Sequence, residues 1–108
     1  MAGEIPHGLA IEQVWAIEGT YALDAAQRRP AVRAEHLTRI AELLAAGTIV
    51  EAGAYQDMSG SMILVRAPDE AAALAIAESD VYARSGVWSG VKVRAFGRVA
   101  RSEELAGG

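Results

Sequence analysis

Apolar positions along this chain follow two rhythms, a period of two and a period near 3.6. Gln13-Val14-Trp15-Ala16-Ile17-Glu18 is rich in β-branched and aromatic residues and meets Gly19, which predicts a first strand. From about Arg28 to Ala46, apolar residues recur at helical spacing, with Leu37, Ile40, Ala41 and Leu44 on one stripe and Glu35, Arg39 and Glu42 off it. Pro30 sets the helix start within a turn of Arg28, and Gly47 supplies the stop. Thr48–Tyr55 and Met62–Arg66 read as a hairpin around Asp57-Met58-Ser59-Gly60. Ala67-Pro68-Asp69-Glu70 opens an alanine-rich helix reaching about Ser79, with acidic residues where they favour the helix dipole. A loop holding Asp80, Tyr82, Ser85 and Gly86 leads to a last strand, in which Val91, Val93 and Ala95 alternate with Lys92 and Arg94.

The resulting order, β-α-β-β-α-β, predicts an α+β fold of the ferredoxin-like type, an antiparallel sheet with two helices on one face. Residues 1–12 read as an N-terminal arm, 13–100 as a single domain and 101–108 as a polar tail. Met62-Ile63-Leu64-Val65 is apolar at successive positions, so both faces of the sheet are expected to be buried. With only two helices to hand, the expected cover for the second face is another copy of the same sheet, that is, a homodimer.

Composition narrows the functional classes. A 108-residue chain that is 52% hydrophobic and 22% charged has the balance of an ordered globule. It contains no cysteine, which removes disulfides, thiolate metal sites and a cysteine nucleophile. Its two histidines, His7 and His36, are few for a zinc site, so no metal is expected. The net charge of −4 and the scatter of basic residues give no footprint for nucleic acid. No apolar run suits a membrane span, and Glu4, Pro6 and His7 do not suit a signal peptide, so a cytoplasmic location is expected. The glycines are isolated and form no phosphate-cradling loop, and Ser59 and Ser61 have no histidine close in sequence to make a nucleophile. Asp57 is most simply a turn former.

The chemistry-bearing candidates centre on the entry to the first helix. Arg29, Arg33 and His36 sit at offsets of four and three and therefore lie along one side of that helix, with His36 beside Ile40 and Leu43. The plain alternative is a core-edge histidine flanked by surface arginines. Were a carboxylate to accept a hydrogen bond from one imidazole nitrogen, the other would be left to exchange protons near neutral pH. Arg33 has the planar fork that suits an anionic or phenolate oxygen, and Tyr82 and Trp88 have the shape to wall a flat substrate, although packing is the commoner duty of such aromatics, Tyr55 included.

Arg29 through Arg33 followed by His36-Leu37, the Gly47 stop with a strand ending Ala52-Gly53, and Asp80 with Tyr82 and Gly86 before a final strand ending in Phe96 together resemble the YCII-related family of small dimeric α+β barrel proteins. The resemblance runs from Val14 to Val99. It implies a ferredoxin-like protomer, a dimeric α+β barrel and an active site in which the family's histidine falls on His36 and its aspartate on Asp80. Asp80-Val81-Tyr82 stands where the family usually has Asp-Pro-Tyr, and Gly53-Ala54 where it usually has Gly-Pro.

The expected function is therefore a small cofactor-independent enzyme using His36 and Asp80 for acid/base chemistry of lyase or isomerase type. Its substrate would be anionic or phenolic, held by Arg29, Arg33, Tyr82 and Trp88. Removal of chloride from a chlorinated hydroxylated aromatic is one known example of such chemistry in the family that the chain resembles, and that substrate is not carried over to this chain. The competing expectations are a non-catalytic ligand-binding or regulatory dimer with the same pocket, and a structural accessory protein.

Overall fold

The computed structural model describes residues 4–106. Strand β1 (Leu9–Tyr21) is followed by helix α1 (Ala25–Ala45), the hairpin β2 (Ile49–Ala54) and β3 (Gly60–Val65), helix α2 (Glu70–Glu78), the short helix α3 (Val81–Arg84), strand β4 (Trp88–Arg101) and the short helix α4 (Ser102–Ala106). The four strands form one antiparallel sheet in the order β2-β3-β1-β4. None of the described helices is long and apolar enough to cross a membrane.

Alternation sorts the sheet residues between two faces. Ile17, Tyr21, Ile63 and Val65 point toward the helices and form the main core with Ala25, Ile40, Ala73, Ala77, Val81, Tyr82 and Trp88. Val14, Ala16 and Leu64 form a smaller cluster, packed with Val50 and Met62 on the opposite face. The apolar run of β3 thus reflects a core on each side of the strand. The dimeric barrel expectation is not met. The sheet is open, with β2 and β4 at opposite edges, whereas closure requires edge strands to pair. On the second face, Val14, Ala16 and Leu64 are buried within one chain, while Phe96, paired with Val14, is 42% exposed. Ion pairs of Glu12 with Arg66 and Arg98, and of Glu18 with Arg94, lie along the same strands.

Several element boundaries differ from the sequence reading. β1 starts at Leu9 because Leu9 through Gln13 pair with Gly97 through Arg101, so the strand pair runs on beyond the rest of the sheet. Helix α1 begins at Ala25, leaving Pro30 inside the helix. Burial of Ala25 in the core and the Asp24–Arg28 ion pair at 2.7 Å hold the extra turn. The buried stripe of α1 is also rotated from the predicted one: His36 and Ile40 are buried, while Leu37 and Leu44 are nearly half exposed. The helix ends as expected, with Gly47 at φ +78°, where a side chain would be strained. Asp80 to Ser85, read as loop, contains α3, and the polar tail contains α4.

Candidate active site

Asp80 shows how local sequence builds the site. It is the N-cap of α3, and its Oδ1 accepts the backbone N–H of Tyr82 at 2.8 Å. The cap fixes the carboxylate beneath α1, where the same Oδ1 lies 2.7 Å from His36 Nδ1 and Oδ2 accepts from Arg39 Nη1 at 3.3 Å. Arg39 also donates to the carbonyl of Ile76 at 3.0 Å, which ties α1 to the end of α2. Burial pushes the Asp80 carboxyl up, but hydrogen bonds from His36 and the Tyr82 N–H, with the charges of His36 and Arg39, outweigh it, so the group lies below the usual aspartate value. An ionised carboxylate can only accept, so His36 Nδ1 carries the proton and Nε2 is left free.

The imidazole is clamped on its face as well as its edge. The Tyr82 ring stacks on it with centroids 3.7 Å apart and planes 4° from parallel, and Trp88 meets both rings edge-on at 6.0 and 5.8 Å. Burial raises the Tyr82 phenol above its ordinary value and keeps it neutral at physiological pH, an effect that the Arg29 guanidinium only partly offsets.

Of these groups, His36 and Tyr82 border a cavity of about 180 Å³, walled also by Tyr21, Arg29, Arg33 and Ser61 among others. Leu37, exposed with respect to the core, also lines it, as do Ala52 and Gly53 of β2. Arg29 and Arg33 continue into an adjoining open groove with Pro30 and Met58. Arg29 Nη1 contacts the Met58 sulfur at 3.0 Å, while its buried Nε has no hydrogen-bond partner among the described residues. Arg33 forms no ion pair among them, so two guanidinium groups overlook the cavity with donor capacity to spare.

Of the residues singled out from the sequence, the fold thus brings His36, Asp80, Arg29, Arg33 and Tyr82 together. Trp88 does not line the cavity: it lies behind Ser61, donating its Nε1–H to Ser61 Oγ at 3.2 Å. Its indole occupies the space over Gly19, where a Cβ would overlap the ring. Three residues near the site, Arg39, Tyr21 and Ser61, were not assigned to it from the sequence. Arg39 was signalled by its i+3 spacing from His36. Tyr21 and Ser61 carried no local signal, because it takes sheet pairing to bring β1 and β3 side by side under α1. Among the described residues, no three His, Cys, Asp or Glu side chains gather into a metal site.

Comparison with known proteins agrees with this architecture. No curated protein matches the chain. Among solved structures, the 5-chloro-2-hydroxyhydroquinone dehydrochlorinase of Burkholderia phenoliruptrix AC1100, in complex with 2,5-dihydroxybenzoquinone, is similar, with a TM-score of 0.66 and 21% identity over 75% of this chain and 90% of that one. At that identity the likeness is one of fold. The family model described as the YCII-related domain matches residues 14–97, most of the length, and on that match the chain belongs to the YCII-related family.

Proposed function

We propose that the cavity is the active site of a small enzyme performing acid/base chemistry of lyase or isomerase type on an anionic or phenolic molecule, without a cofactor. The observation that carries this reading is the buried 2.7 Å contact between His36 and Asp80 at the wall of a cavity overlooked by two arginines. Asp80 holds the imidazole in one tautomer, so Nε2 takes a proton from a substrate hydroxyl or carbon and returns it to the departing or rearranged atom. Arg29 and Arg33 supply charge for an anionic oxygen. Further support comes from the dehydrochlorinase of similar fold, whose structure holds a dihydroxybenzoquinone.

The test is a turnover screen over hydroxylated aromatics and small lactones, followed by His36→Asn and Asp80→Asn. Each variant is expected to slow turnover about 100-fold or more, with the double variant little worse than either single one because both disable the same unit. Folded variants that turn over substrate at the wild-type rate would overturn the assignment.

A second reading, a ligand-binding or regulatory protein with the same pocket, draws on Asp80 itself. The carboxylate also caps α3 and holds Arg39, duties that need no catalysis. It predicts saturable binding of phenolic anions with no turnover.

A further inference from the structure

Trp88, Ser61 and Tyr21 form a buried chain of polar groups behind the cavity, distinct from the His36–Asp80 pair. Trp88 Nε1 lies 3.2 Å from Ser61 Oγ, and Ser61 Oγ lies 3.2 Å from the Tyr21 hydroxyl. All three residues are at most 7% exposed. An indole N–H can only donate, so the Trp88 link has one possible direction. The chain then holds three protons, one each on indole, serine and phenol, but makes only two internal hydrogen bonds. One hydroxyl proton must remain over. The two hydroxyls, 3.2 Å apart, can share their bond in either direction; with Ser61 donating to Tyr21, the spare proton belongs to the phenol. Among the described residues Tyr21 has no acceptor for it, and Tyr21 lines the cavity. A ligand that supplies an acceptor there takes up that proton in a hydrogen bond from a hydroxyl already held in place by Ser61.

We propose that Tyr21 is a specificity-determining donor for this site, directing its hydroxyl at a phenolate, enolate or quinone-type carbonyl oxygen of the bound molecule, with Ser61 and Trp88 as positioning residues. The inference rests on reading the cavity as the substrate site. It adds a requirement to that reading: the ligand carries an oxygen acceptor on the sheet side of the cavity, across from the helix-borne His36. The Arg29 guanidinium of α1, 5.7 Å over the Tyr21 ring, brings positive charge to the same ring. As negative charge gathers on that oxygen, a donor fixed before the reaction stabilises it without reorganisation.

The probe for the test is 4-nitrophenol, whose phenol and phenolate forms differ in colour, with nitrobenzene as the matched ligand lacking the oxygen. Binding of each is measured for the wild type, Tyr21→Phe and Ser61→Ala, after thermal unfolding has confirmed that the variants fold; the phenylalanine ring keeps the Tyr21 packing. For the wild type, bound nitrophenol is expected to titrate at lower pH than the free compound. In Tyr21→Phe, phenolate affinity is expected to fall about 10-fold and the bound titration to move up by about one pH unit, since the lost bond is a charge-assisted one. Nitrobenzene binding should not change. Ser61→Ala, which leaves the phenol in place but unoriented, should lie between. A purely structural Tyr21 would not move the colour titration. Nitrophenolate binding and titration unchanged in Tyr21→Phe would overturn the donor role alone. Absence of saturable binding to the wild type would overturn both the donor role and the reading of the cavity on which it rests.

Discussion

Replacing Asp80 with asparagine tests whether the site is also a joint of the fold. The carboxylate is 1% exposed and accepts from His36, the Tyr82 N–H and Arg39. Asparagine has the same shape but one acceptor oxygen. If that oxygen serves Tyr82 and His36, the amide NH₂ faces Arg39, donor against donor. Two charge-assisted bonds become neutral ones and a third becomes repulsive. With such bonds worth about 1.5–3 kcal/mol against about 1 for neutral ones, the loss at pH 7 comes to about 2–3 kcal/mol, tempered because Arg39 is one-quarter exposed and partly screened. For a domain of this length, that lowers Tm by roughly 8–12 °C. The pH dependence carries the stronger test. Asp80 lies below its unfolded value of about 3.9, so its stabilisation is fully present above that pH and is lost as pH falls through the folded value. Urea unfolding of both proteins should therefore show a gap from neutral pH down to about 4 that closes under stronger acid. A gap under about 0.5 kcal/mol at pH 7, or one that persists unchanged to pH 2, would refute the argument.

Three further outcomes follow from the geometry. Gly19→Ala is expected to cost about 1–3 kcal/mol in urea unfolding, because its Cβ would overlap the buried indole of Trp88, and a neutral result would mean that the indole is free to move. Arg39→Met, which keeps the stem but removes the contacts to Asp80 and Ile76, should lower stability by about 1–2 kcal/mol and slow any His36-dependent turnover less than Asp80→Asn does. For Glu12→Gln, which weakens the pairs with Arg66 and Arg98, a loss of about 1 kcal/mol or less is expected at low ionic strength, vanishing near 1 M salt; a salt-independent loss would point to packing instead.

How much of this was legible in the sequence follows from which interactions are local. The β-α-β-β-α-β order, the hairpin around Asp57, the Gly47 stop and the acidic start of α2 depend on residues within a few positions of one another, and periodicity and turn chemistry report them directly. The alignment of Arg29, Arg33 and His36 along α1 is local for the same reason. Their pairing with Asp80 was suggested by family resemblance alone, because 44 residues separate the histidine from the aspartate and no local rule joins them. Tertiary structure decided what local pattern could not. It turned α1 so that His36 and Ile40, rather than Leu37 and Leu44, entered the core. It drew Leu9 into β1 by pairing with the far end of β4, left the sheet open, and moved Trp88 behind Ser61 so that Tyr21 faced the cavity instead. Each of these outcomes depends on long-range burial and strand pairing, whose energies belong to pairs of distant segments, whereas hydrophobic periodicity says only that a segment has a face to bury.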